Sequence, residues 1–260
     1  MRRSATGLLR THRDGLREIA FGAGFAFAYF GIRNLTAGSA PTAYGNADRL
    51  MQVEQKLHVA WEAPLQGTII SHPALVTLAN WIYIWGHWPV IVTVALVLFR
   101  YRRDRYVLLR DAVFVSGAIG FVFFALFPVA PPRLADPGLL DTVTLHSDAY
   151  RALQPPGFTN QYAAFPSLHF GWNLLAGVAV VGATTMVALR AFAIVGPVAM
   201  AAAVVLTANH YVVDVVAGLI VVLVGLAAHQ LIQRSHLHSG TDGDSRGAPR
   251  RQRPRAASRG

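Results

Sequence analysis

Residues 191–228 read AFAIVGPVAMAAAVVLTANHYVVDVVAGLIVVLVGLAA, and this stretch decides the fold. Two apolar runs, Ala191 to Ala208 and Val215 to Ala228, flank a polar junction, Asn209-His210-Tyr211-Val212-Val213-Asp214. A helix crossing the hydrocarbon core of a bilayer needs about 20 mostly apolar residues, so the runs read as consecutive membrane spans. Ionisable residues are costly at such a place, which makes His210 and Asp214 functional candidates. Four residues apart on a helix, they share a face within contact distance. A carboxylate there fixes the imidazole tautomer and stabilises the imidazolium, as a nucleophilic or basic histidine requires.

Working outward, four more apolar windows meet the same length test: Ile19 to Leu35, Ala74 to Phe99, Ala112 to Ala130 and Phe170 to Leu189. The expected architecture is therefore all-α, a polytopic membrane helix bundle with about six transmembrane helices. Composition agrees: 53% of the 260 residues are hydrophobic and 14% are charged, against roughly 25% charged in a soluble domain. The chain has no cysteine, which excludes a disulfide framework, a thiolate zinc site and a cysteine nucleophile. The first window also fits a signal peptide, with small residues at Gly38, Ser39 and Ala40, but the length of its apolar run favours a retained span.

The net charge of +10 sorts the loops. Basic residues gather in the leader (Arg10, Arg13, Arg17), after the second span (Arg100, Arg102, Arg103, Arg105, Arg110), at Arg190 and beyond Arg234. Short cytoplasmic loops are enriched in Lys and Arg, so these four places face the cytoplasm in the cell membrane, termini included. The loops Thr36 to Pro73 and Pro131 to Pro166 then face outward. Three segments follow: a basic leader, 1–18; a membrane-embedded domain, 19–233; and a disordered basic tail, 234–260. Charge confined to loops argues against nucleic acid as a partner. In the first outer loop Leu50, Val53, Leu57, Trp61 and Leu65 share one helical face, with Glu54, Lys56, Glu62 and Gln66 off it. That pattern predicts an amphipathic helix lying on the interface as an anchor.

A second polar cluster, Tyr162-Ala163-Ala164-Phe165-Pro166-Ser167-Leu168-His169, opens the fourth span. Topology puts His169 and His210 at the same outer ends, so two histidines and Asp214 converge at one depth. Pro166 suits a first helical turn and Ser167 a cap, which would aim free N–H groups and the positive helix end at a phosphate. Arg133, after Pro131 and Pro132, lies on the same side and can grip phosphate through two parallel hydrogen bonds. Asn80, Tyr83 and His87 share a face of the second span, either lining a substrate cavity or forming an interhelical hydrogen-bonding stripe. Arg103 and Arg110 read as topology-setting charge at the far surface, and His229, His236 and His238 have no partner pattern.

These motifs resemble the type 2 phosphatidic acid phosphatase superfamily of integral membrane phosphatases and phosphotransferases. Its Pro-Ser-x-His motif is matched by Pro166-Ser167-Leu168-His169, and its His-x-x-x-Asp motif by His210-Tyr211-Val212-Val213-Asp214. The likeness covers about Asn80 to Gly218. It is closest to the inositolphosphotransferase branch, which includes fungal inositol phosphorylceramide synthase, and to its bacterial relatives, on Phe165 to His169, His210-Tyr211, and the Asn80-Trp81-Ile82-Tyr83 and His87-Trp88-Pro89 stretches. Two departures stand out: Ala203-Val204 replaces the usual Ser-Arg, and the usual Lys-x6-Arg-Pro motif is absent, leaving Pro131-Pro132-Arg133 to serve instead.

The resemblance implies a lipid phosphate or phospholipid substrate, no metal and no cofactor, and a phosphohistidine intermediate. His210 would attack phosphorus, Asp214 would orient it, and His169 would protonate the leaving oxygen, with Arg133 and the helix terminus at Ser167 holding the phosphate. Water as acceptor makes a phosphatase; an alcohol makes a transferase. Two other readings compete. One is a transporter or proton-coupled channel with a His/Asp relay. The other is a metal enzyme using His169, His210 and Asp214 as a facial set. Oligomeric state is left open by the residues.

Overall fold

The computed structural model describes residues 5–36, 40–146 and 160–244. Among them the chain forms eleven helices: α1 (Ala5–Thr36), α2 (Ala40–Leu57), α3 (Glu62–Ile69), α4 (Pro73–Trp85), α5 (Trp88–Tyr101), α6 (Arg103–Leu126), α7 (Pro132–Ala135), α8 (Thr142–His146), α9 (Leu168–Ala183), α10 (Val187–Leu206) and α11 (Val212–Asp244). The extended pairing among the described residues is one isolated bridge between Val129 and Ala163.

Three helices, α6, α10 and the Val212–Ser235 part of α11, are individually long and apolar enough to cross a membrane. Helices α4 and α5 pass the same test only as a bent pair, which makes up to four spans where the hydropathy windows gave about six; α9 is apolar but shorter, at 16 residues, and α1, which holds the first window, is not among the qualifying helices. Only 28–39% of the three long windows is buried inside the protein. Their outward sides carry exposed Val122, Leu126, Val198 and Leu223. Apolar surface on this scale is stable only in an apolar solvent. The chain is accordingly a multi-pass helical membrane protein.

Several boundaries differ from the hydropathy reading. The window Ala74 to Phe99 bends by 43° between Trp85 and Trp88, because Pro89 lacks an N–H and its ring excludes a helix running through from Trp85. The window ending at Ala130 leaves the helix at Leu126, and Val129 donates its N–H to Tyr162 O at 2.8 Å instead. Helix α9 stops at Ala183, before an extended Thr184 whose hydroxyl accepts from Met186 N at 3.1 Å. Arg190 therefore lies inside α10 rather than in the turn. The basic leader continues into the first window without a break, since α1 begins at Ala5. At the other end α11 runs to Asp244, so residues 234–244 extend a helix instead of opening a tail; 245–260 lie outside the described residues.

The interfacial segment departs most. It forms two helices, α2 and α3, and three of its four polar residues are buried: Glu54, Glu62 and Gln66 point into the protein, while Lys56 is exposed together with Val53, Leu57, Trp61 and Leu65. An apolar face turned outward fits contact with lipid, but the segment is also built into the bundle.

Helix α9 sits at the centre, packed against α6, α10 and α11. Trp172 fills the core beside Phe25 and Leu175 and donates its indole N–H to Ser116 Oγ at 3.2 Å. Gly177 faces the Ala193 carbonyl and Pro197 so closely that a Cβ has no room. That carbonyl is the one Pro197, lacking an N–H, leaves without its intrahelical donor. At 1.5 Å per residue α9 spans about 24 Å, less than the roughly 30 Å hydrocarbon core. Ala183 is tied to the Arg102 guanidinium at one end, and the opposite end of α9 carries Ser167, fully buried, and His169, half-buried. The irregular residues 160–167 leading into it are fastened to the bundle, Asn160 N donating to Tyr29 Oη and Ser167 N to Asp214 O, with Ala164, Pro166 and Ser167 buried.

Candidate active site

The turn between α10 and α11 folds back on itself. Ala208 takes a left-handed backbone (φ 53°), and the N–H groups of both Asn209 and His210 return to Val204 O at 3.0 Å. This turn carries His210 inward to 4% exposure. Its Nδ1 lies 2.7 Å from the Ala164 carbonyl and 3.3 Å from Asp214 Oδ2. Two acceptors at one nitrogen place the ring proton on Nδ1 and leave the lone pair on Nε2. The shorter contact is to the carbonyl, so the Ala164 peptide, as much as Asp214, orients the ring. The free lone pair on Nε2 is the one an incoming electrophile would meet.

Asp214 is fully buried and accepts from Tyr211 N at 2.8 Å through Oδ2. Its own carbonyl accepts from Ser167 N at 2.9 Å, which locks the start of α9 to the start of α11. Ser167 caps α9, its Oγ 3.5 Å from Phe170 N. Pro166 precedes this cap and is not in the first turn, since the helix begins at Leu168.

His169 stands beside them, its ring 5.7 Å from that of His210. Tyr83 stacks on it at 4.8 Å and His87 packs at 4.2 Å, so two residues of the bent span flank the imidazole. Asn173 bridges this group, donating to His169 O at 2.9 Å and lying 3.3 Å from His87 Nδ1. Asn80 turns elsewhere: it exchanges hydrogen bonds with Thr142 at 2.9 and 3.0 Å, fastening α4 to α8.

Arg133 reaches the same turn. Its backbone N–H donates to Ala208 O at 2.9 Å, its Nε to Asn209 Oδ1 at 2.8 Å, and its Nη1 lies 3.6 Å from Asp141 Oδ2. Asn209 in turn donates to Thr207 Oγ1 at 2.9 Å. The guanidinium is thus held against the residue preceding His210.

At the arginine-rich end, Arg110 pairs with Glu18 and Asp111, each at 2.7 Å, and Arg103 lies 3.6 Å from Glu18. His229 finds a partner there, with Nδ1 2.9 Å from Asp111 Oδ2. These contacts tie α1, α6 and α11 together.

Residues with no expected role also enter the site: Asn173, Asn209, Asp141 and the pair Glu54 and Glu62. Both glutamates cap α11, Glu62 Oε1 accepting from Val212 N and Glu54 Oε1 from Val213 N, each at 2.8 Å. The available signal was two carboxylates in a chain with only 13 acidic residues, but an amphipathic pattern assigns them to water. Among the described residues no three His, Cys, Asp or Glu side chains converge in metal-ligating geometry.

No curated protein and no solved structure matches the chain. A family model described as PAP2 superfamily matches residues 48–228, well over half of it, including the second half of α2, all of α3 and every site residue above from Glu54 to Asp214. Motif order, helical membrane architecture and family match agree: the chain belongs to the PAP2 superfamily, whose membership carries phosphoesterase activity.

Proposed function

We propose that the protein is a lipid-phosphate phosphatase or phosphotransferase working through a phosphohistidine, with its site in the 19–233 segment, facing outward in the cell membrane. One observation carries the reading: His169 and His210 stand ring to ring at 5.7 Å, and His210 Nδ1 is held by Ala164 O and Asp214. His210 Nε2 attacks phosphorus, forming a P–N bond as the P–O bond to the leaving group breaks. Protonated His169 gives its proton to the departing oxygen. Water or an alcohol then attacks the phosphohistidine, His169 takes back the proton, and the P–N bond breaks. Arg133 and the N–H groups of Leu168 and His169, which have no acceptor within their own helix, supply positive potential as charge grows on the phosphoryl oxygens.

The finer reading is an inositolphosphotransferase-like acceptor reaction, supported by the spelling of Phe165 to His169 and of Asn80 to Tyr83. Purified protein incubated with lipid phosphates and phospholipids, with and without inositol, and analysed by mass is expected to release phosphate or exchange a headgroup. His210→Ala should abolish turnover and chelators should leave it intact. Full activity in His210→Ala, chelator loss restored by zinc, or solute flux into proteoliposomes without phosphate release would each overturn the assignment.

A further inference from the structure

Three consecutive N–H groups open α11, and each ends on a different carboxylate: Tyr211 on Asp214, Val212 on Glu62, Val213 on Glu54, all at 2.8 Å. Two of these acceptors come from helices about 150 residues earlier in the chain. A helix start has unsatisfied donors and a positive end, so acidic side chains belong there. Three carboxylates crowded into one buried turn are a different matter, because like charges out of water repel strongly. Glu54 is fully buried, and its second oxygen, Oε2, meets no hydrogen-bond donor in the protein.

Glu54 and Glu62 line a cavity of about 210 Å³ with Tyr211 and Asp136, and no lysine or arginine borders it. The groups acting on Glu54 are Glu62 from α3 and Asp214 from α11; Tyr211 feels Glu54, Glu62 and Asp48 of α2 together. A proton between Glu54 Oε2 and the Glu62 carboxyl removes one charge and satisfies the orphaned oxygen in one step. Burial first, opposed by the Val213 N–H and strengthened by the Glu62 and Asp214 carboxylates, pushes the Glu54 pKa up to about 8.

We propose that Glu54 and Glu62 are a proton-sharing carboxyl pair that fixes the first turn of α11 and so positions His210 and Asp214 for phosphoryl transfer. They touch no reacting atom and act through the backbone of Val212 and Val213. The catalytic part of the inference rests on the phosphohistidine reading; the shared proton does not. Loss of that proton at alkaline pH sets two carboxylates against each other and loosens the turn on which His210 is mounted.

The full-length protein with Glu54→Gln, Glu54→Ala and Glu62→Ala tests both parts, using a lipid phosphate as substrate and thermal unfolding in detergent from pH 5 to 9. Glutamine keeps an acceptor for Val213 N and offers its own N–H to Glu62, so Glu54→Gln should stay much closer to the wild-type rate than Glu54→Ala at neutral pH, lose the fall in rate above about pH 8, and lose the fall in melting temperature between pH 5 and about 8. The alanine variants should drop kcat by about tenfold or more with KM little changed, as misplacement of a reacting group does. Wild-type kcat in folded Glu54→Ala would overturn the positioning role. Identical pH dependence of melting in wild type and Glu54→Gln would overturn the shared proton. If the wild type turns over no phosphoester, the functional reading fails, while the melting comparison still decides the pair.

Discussion

Replacing Gly171 with alanine probes how closely α9 and α11 must approach for chemistry. A Cβ at this position lies 2.9 Å from Val222 Cγ2 and 3.2 Å from the Gly218 carbonyl oxygen, whereas ordinary contact begins at 3.4 Å. The two helices must therefore part by about half an ångström, the difference between the first and last of those distances. Overpacking costs roughly 1–3 kcal/mol, and exchanging glycine for alanine within a helix returns roughly 1 kcal/mol. Net destabilisation is then about 0–2 kcal/mol, too little to unfold a typical domain. Catalysis should suffer more. His169 rides on α9 while Asp214 begins α11, and half an ångström is about the tolerance of a working constellation. A 1 Å error costs about 100-fold, so half of it costs about tenfold in kcat, close to 1.4 kcal/mol. The assay pairs kcat and KM on a lipid phosphate with thermal unfolding. Gly196→Ala in α10, where a Cβ meets nothing within 4 Å, is the control and should keep its rate with equal or higher stability. Wild-type kcat in Gly171→Ala, or a loss matched in full by unfolded protein, would refute the reasoning.

Other outcomes are equally definite. Asn209→Ala frees the Arg133 Nε and should weaken phosphate binding, raising KM by about tenfold for the roughly 1–3 kcal/mol of a lost charged hydrogen bond; an unchanged KM would remove Arg133 from the phosphate site. Stability in detergent should fall as pH rises from about 4.5 to about 8, because the folded protein holds the Glu54 proton that the unfolded chain has already released; melting temperatures that climb across this range would contradict the buried pair. Thr144→Cys in this cysteine-free chain should react with an impermeant maleimide on intact cells; reaction only after permeabilisation would reverse the orientation and bring Arg103 and Arg110 back as phosphate ligands.

Much of the site was legible because its chemistry is local. His210 and Asp214 are four positions apart and Pro166 to His169 is a contiguous run, so spacing and motif alone brought them forward, although His210 sits in the turn before α11 and not on the helix. Pairing the two motifs needed only the alternation of apolar windows and arginines. Window edges were less reliable: hydropathy averages over a turn or more, and it cannot register Pro89 breaking a span or Thr184 ending one. The amphipathic segment misled for a related reason. Its apolar stripe does look outward, as an anchor's would, but its polar side was assigned to water, whereas Glu54, Glu62 and Gln66 turn into the bundle.

By itself, then, the amino-acid sequence determined the solvent and the class of fold and brought forward the local pairs proposed to do chemistry, since each depends on composition or on spacing along a short stretch of chain. Tertiary structure alone decided what surrounds those pairs: the Ala164 carbonyl on His210 Nδ1, Tyr83 and His87 flanking His169, Asn209 on Arg133, and Glu54 and Glu62 on the first turn of α11. These partners lie between 46 and 159 positions from the groups they hold. Only closure of the bundle brings them within hydrogen-bonding or stacking distance. Burial then gives each contact its strength, because a carboxylate or imidazole removed from water must find its partner inside the protein.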